Sequence, residues 1–175
     1  MALHIRIVRK LASLNYKRIT PALDAWHTND ANNSLDEFTL LDGETPLFHC
    51  HAQTVANMEG LDEGVHEYDT IAPGPFGLRA FVEPRQFKCQ PHGIIHTKTK
   101  RGDIVRSDST TETNASRWLV HDWRNHDGVD TRVAWSAGCF VLKDSDLEAF
   151  SDTLKIHGVK PGDVIPGDLF EEGDD

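Results

Sequence analysis

The chain has 175 residues, 38% hydrophobic and 26% charged, with a formal net charge of −10 at neutral pH. That length allows one domain with a buried core, and the excess of carboxylates opposes nucleic acid as a partner. No apolar run approaches the ~18 residues needed to cross a bilayer, so no membrane span is expected.

The first element is "LHIRIVRKL", which alternates apolar and polar at period two, as a half-buried strand does. Charge interrupts "MALHIRIVRKLASL" too often for a signal-peptide apolar core. The expected compartment is therefore the cytoplasm, or one reached by an export route the sequence does not encode. "EFTLLDGETPLFHCHAQTVA" predicts two strands joined at Asp-Gly, a strong hairpin signal. "IAPGPFGLRAFVEP" predicts a Pro/Gly turn feeding a strand at Leu78–Val82. "HGIIH" and "RWLVHDW" are short apolar runs of strand character. Between them, "TKTKRGDIVRSDSTTETNAS" is polar and predicts a long loop, with room for one short strand at "GDIVR". "KDSDLEAFSDTLKIHG" predicts a helix capped by Asp144 or Ser145, with Leu147, Phe150 and Leu154 on one face and Gly158 at its end. "GDVIPG" predicts a closing strand, and the acidic tail, residues 168–175, a frayed solvated end. The whole predicts a single domain over residues 1–175, mainly β (a β-rich α+β fold).

Several residues bear chemistry. The cysteines are Cys50, Cys89 and Cys139; an odd number without CxxC argues against a zinc ribbon, a thioredoxin motif or a disulfide scaffold. Lys98, Lys100, Arg101 and Arg106 cluster in a segment that serves either as a solvated loop or as a dock for an anion. His49 and His51 lie two apart on a strand and so share a face, which suits a metal-dependent hydrolase, with His66, His92 or His96 as a third ligand. No HExxH or other zinc signature accompanies them, so pocket or surface histidines are the alternative, and neither a metal nor another cofactor is expected.

In "VDTRVAWSAGCFVLKDSDLEAF" a cysteine follows a glycine directly before an apolar strand and the helix. The order of elements around it resembles the catalytic domain of L,D-transpeptidases, the YkuD-like family. The hairpin at residues 37–57, the turn "APGPFGLRAF", the histidine of "WLVHDW", the segment "SAGCFVL" and the helix with its closing strand occur in that family's order over roughly residues 37–166. The resemblance implies a mixed β-sandwich with the helix packed after the cysteine strand. Two positions depart from the pattern: Ala137 stands where the family has histidine before Gly-Cys, and Val141 where it has arginine. A sparser group of the same fold, often uncharacterised or phage-borne, matches His121, Asn125, Asp130, Thr131, Gly138 and Cys139.

By this resemblance Cys139 is the nucleophile and His121, or alternatively His126, the general base and acid. A thiol attacks only as thiolate, and an imidazole that takes its proton can later hand it to a leaving amine. Gly138 lets backbone approach the reacting carbonyl, amides near Cys139 supply an oxyanion hole, and Ser136 hydrogen-bonds near the thiolate. Trp135 walls the pocket, with Trp123 and Asn125 as further substrate-binding candidates. Asp127 and Asp130 are the candidates to orient the imidazole; Asp122, adjacent to His121, points away from it on a strand. The implied substrate is a peptidoglycan stem peptide, cleaved through a thioester by transfer to an amine or to water. A non-catalytic relative binding a peptide or glycan in the same groove is the alternative.

Overall fold

A computed structural model describes residues 2–10, 36–54, 71–81, 93–96, 119–122 and 140–172. The described strands are β1 (Leu3–Arg9), β2 (Asp36–Asp42), β3 (Thr45–Gln53), β4 (Gly74–Ala80), β5 (Gly93–His96), β6 (Leu119–Asp122), β7 (Phe140–Leu142) and β8 (Val164–Glu171), with one described helix, α1 (Asp144–Ile156). The fold is mainly β with the helix directly after β7, as the sequence patterning predicts. The sheet is continuous and mixed. Its strands run in the order β1-β2-β3-β7-β6-β5-β4-β8 and close on themselves, β8 pairing with β1. Among the described strands, each therefore has a neighbour on both sides.

The inner face follows from period-two alternation. Ile5 and Ile7 of β1, Phe38 and Leu40 of β2, Cys50 and Ala52 of β3, Leu78 and Ala80 of β4, and Ile165 and Leu169 of β8 are all buried. The hairpin turns at Gly43, whose φ of 59° is the left-handed region that favours glycine. The first strand is secured to it: Ala2 N donates to Asp42 Oδ1 at 2.9 Å, and Gly43 N donates to Ala2 O at 3.0 Å.

The helix α1 adds its own apolar stripe to this core. Leu147, Phe150 and Leu154, spaced at helical period, are buried. The Phe150 ring stands edge-on to Phe38 at 5.0 Å between centroids and 5.7 Å from that of Phe48. Its end is a Schellman arrangement: Val159 N donates to Leu154 O and Gly158 N to Lys155 O, with Gly158 at φ 81°.

Three expectations need correction. The N-cap is Lys143, whose extended backbone precedes the first turn without any side-chain cap; Asp144 and Ser145 already lie inside the helix. The fourth strand runs over Gly74–Ala80 rather than Leu78–Val82, because Phe81 takes a φ of 55° and ends it; Val82 lies outside the described residues. The acidic tail is strand as far as Glu171, since Leu169 packs inward and β8 pairs with both β1 and β4. The strand β1 thus belongs to the closed sheet, although the family resemblance began only at residue 37.

Candidate functional site

The strands β6 and β7 are parallel neighbours, with Val120 opposite Phe140, His121 opposite Val141 and Asp122 opposite Leu142. Adjacent strands lie roughly 4.8 Å apart. His121 is the third residue of β6, and Cys139 immediately precedes the first residue of β7 in sequence. Cys139 itself, with Gly138, Ser136, Trp135, Asn125 and Trp123, lies outside the described residues. So do His126, Asp127, Asp130, Ala137, the basic segment at 98–106, His66, His92 and Cys89.

Both faces of β7 are covered. Phe140 and Leu142 belong to the hydrophobic core, and Val141, which alternation turns to the opposite face, is fully buried too. The position at which the resemblance calls for arginine is therefore sealed by a small apolar side chain. On the core side, the Phe140 ring meets Phe76 edge-on, at 5.4 Å between centroids and 74° between planes. Phe76 belongs to the "PGPF" segment read as a turn in the sequence but lies within β4, so β4 and β7 meet in one aromatic pair.

A buried polar network lies at the same end of the sheet. Arg9, Asp36 and Thr54 are each fully buried. Arg9 Nε donates to Thr54 Oγ1 at 2.8 Å, and Nη1 donates to Glu171 Oε1 at 2.9 Å. Its Nη2 donates to the carbonyls of Thr54 and Ile71, each at 2.9 Å. Asp36 accepts from Lys10 N at 2.7 Å, from Thr54 N at 3.1 Å, and from the Thr54 hydroxyl. A buried charge is tolerated only when compensated: Arg9 pairs with Glu171, and Asp36 accepts these three hydrogen bonds. Sequence reading missed this set. Its one signal was Arg9, a charged residue at an inward position of a strand whose other inward positions, Ile5 and Ile7, are apolar.

His49 and His51 do share a face of β3, their rings edge-on at 5.4 Å between centroids. His49 is exposed and His51 half-buried, with its Nδ1 buried and without a hydrogen-bond partner among the described residues. Burial, and then the neighbouring His49, push the His51 pKa below its ordinary value, favouring neutral imidazole. Asp146, near the start of α1, is pushed up by burial, against the opposing pull of Lys143, His51 and His49. Among the described residues no group of three or more His, Cys, Asp or Glu is arranged to hold a metal ion. Cys50, between the two histidines, faces the core as a free thiol, its pKa raised by burial and then by Asp146.

An open groove of about 560 Å³ lies at the far end of the sheet, between the start of β1, the end of α1 and the start of β8. It is lined by Leu3, Val159, Ile165 and Pro166 among others. Its position separates it from the β7 terminus that Cys139 precedes.

The chain is 36% identical over 178 aligned residues to an uncharacterized protein of Treponema pallidum (strain Nichols), the match covering 95% of this chain and 79% of that protein. No family model matches the chain, and no solved structure matches it.

Proposed function

The chain belongs to one family with the uncharacterized Treponema pallidum protein, and from its own residues we propose that it is a cysteine-dependent acyltransferase of peptidoglycan stem peptides, of the L,D-transpeptidase or L,D-carboxypeptidase type. One observation carries the reading: the strand bearing His121 pairs in parallel with the strand that follows Cys139, His121 opposite Val141. A base within reach of a nucleophile is the minimum this chemistry requires.

In the proposed reaction His121 takes the Cys139 proton, and the thiolate attacks the amide carbonyl between a diamino acid and a terminal D-amino acid. As the tetrahedral intermediate collapses, the C–N bond breaks, the imidazolium protonates the leaving amine and a thioester remains. An amine acceptor or water, deprotonated by the same imidazole, then attacks the thioester and expels the thiolate. Transfer to an amine makes a cross-link; transfer to water makes a carboxypeptidase.

The buried Val141 favours a second reading, a non-catalytic relative that binds peptide or glycan, because it leaves no arginine at that position to meet a substrate carboxylate. Iodoacetamide labelling of native protein across pH, read at each cysteine by peptide mass spectrometry, separates the two. An enzyme labels quickly at Cys139 below pH 7, more slowly in His121→Ala, and releases D-amino acid from a stem tetrapeptide with or without a chelator. A Cys139 that reacts no faster than a free thiol, with no release, leaves the binding reading. Release abolished by the chelator and restored by zinc returns the question to His49 and His51.

A further inference from the structure

We propose that the groove at the start of β8 receives an extended peptide segment, aliphatic and basic, which continues the sheet where β1 and β8 part. The inference is independent of the reading at Cys139. In a parallel pair every second residue directs its N–H and C=O across to the neighbour. Glu172 N donates to Arg9 O at 2.7 Å, and Arg9 is opposite Glu171. Carried back along the ladder in steps of two, this phase turns the main-chain groups of Ile7, Ile5 and Leu3 toward β8. It turns those of Asp168, Pro166 and Val164 toward β1. The next donor due to the Leu3 carbonyl is therefore at position 166, which is proline and has no N–H. Accordingly the register stops at Ile5 and Gly167, although β1 begins at Leu3 and β8 at Val164.

The groove lies where the register stops. Leu3 lines it from β1, Val164 and Pro166 from β8. Both strands keep their other neighbours here, Leu3 opposite Asp42 of β2 and Val164 opposite Arg79 of β4. What faces the groove is thus main chain already held extended, the template for strand addition. Its volume of about 560 Å³ suits a few residues of peptide. Apolar surface is concentrated at the same place: Val159 and Ile165 line the groove, Val164 on its rim is 61% exposed, and Ile156, next to the lining residue His157, is 80% exposed. Charge selects among peptides. The ionisable side chains that line the groove are Asp163 and His157, on a chain of net charge −10, so a basic segment is attracted and an acidic one repelled.

The probe is an acetylated, amidated pentapeptide that alternates lysine and valine, with lysine at both ends. Amide spectra of isotope-labelled protein are recorded as it is added. Saturable shifts centred on Leu3 and Val164 are expected. The same peptide methylated on its backbone nitrogens keeps every side chain but loses its donors, and is expected to bind about tenfold more weakly. The counterpart with glutamate for lysine is expected to weaken at least as much. Val164→Pro removes an N–H that faces the groove and not β4, and should weaken the unmethylated probe about tenfold as well. No shifts, shifts scattered over the acidic surface, or equal affinity of the methylated probe overturn the proposal, the last because it shows side-chain contact without strand addition. Should Val164→Pro not fold, the methylated probe decides alone, since it needs no variant.

Discussion

The ring of Phe76 stands edge-on to that of Phe140 because Gly167, on β8, leaves room for it: a methyl group added at Gly167 would lie 2.3 Å from Phe76 Cζ. Gly167 pairs with Phe76 across β4 and β8 and with Ile5 across β1 and β8, so it sits on an inner row where neither strand can shift alone. Gly167→Ala is expected to destabilise by about 1–3 kcal/mol, the usual cost of overpacking a filled core. Urea titration measures it. Phe76→Leu, which shrinks the obstructing ring, should recover part of that loss in the double variant, and fully additive losses would falsify the contact as the cause.

The pH dependence of stability has a definite sign near His51. Its pKa is lowered in the folded protein from an ordinary 6.5, so as pH falls through that value the unfolded chain takes up a proton before the folded one. Stability is therefore present above about pH 6.5 and declines below it, until the folded protein protonates as well. His51→Gln removes this contribution. Denaturant unfolding at pH 7.5 and pH 5.5 should show a smaller loss in the variant than in the wild type, and equal losses count against a shifted His51.

Asp146 acts in the opposite sense. Burial raises its pKa above 3.8, so the folded protein holds that proton more tightly, and stability is given up as pH rises through the window above 3.8. Asp146→Asn keeps the shape without the charge and should be neutral to stabilising at pH 7, less so at pH 3.5. A variant less stable than wild type at pH 7 would show that attraction to Lys143 and the histidines outweighs burial there.

Legibility in the sequence followed the range of the interactions. The alternation in "LHIRIVRKL", Asp-Gly at the hairpin and the Leu147–Phe150–Leu154 stripe are local signals, and each lies where it points. The closing of the sheet through β1 and β8 is not local. It pairs Ile5 with Gly167 at opposite ends of the chain, and the acidic residues that follow disguised the second half of the strand carrying it. The Arg9 network was hidden for the same reason, since its partners Thr54, Ile71 and Glu171 come from separate elements. The strand that carries His121 and the strand that follows Cys139 in sequence were legible as short apolar runs, whereas their parallel pairing, which joins separate elements, was not.

The start of α1 leaves room for improvement. Lys143 has the extended backbone of an N-cap but no side-chain bond to the first turn, and its positive charge faces the positive end of the helix. Lys143→Ser supplies an oxygen for the free amides and is expected to raise stability by about 1 kcal/mol, seen as a higher midpoint in urea at unchanged slope. No gain, or a loss, would mean that the attraction between Lys143 and Asp146 exceeds the value of the cap.

Cys50 supplies the internal reference for every labelling experiment at Cys139. Its side chain packs in the core opposite Phe38, and burial, with Asp146 adding to it, drives its thiol pKa far above the ordinary cysteine value. Only the thiolate alkylates, so in native protein Cys50 should stay unlabelled across the whole range in which Cys139 is tested, and should label fully in denaturant. Modification of Cys50 at neutral pH would therefore report opening of the core, and its rate sets the background against which a fast Cys139 is judged. Cys50→Ala tests the packing separately: with a small, well-enclosed side chain removed, a loss of about 1 kcal/mol is expected, while the Cys139 profile stays unchanged. A profile that moves with Cys50→Ala would show that the core and the cysteine segment are coupled.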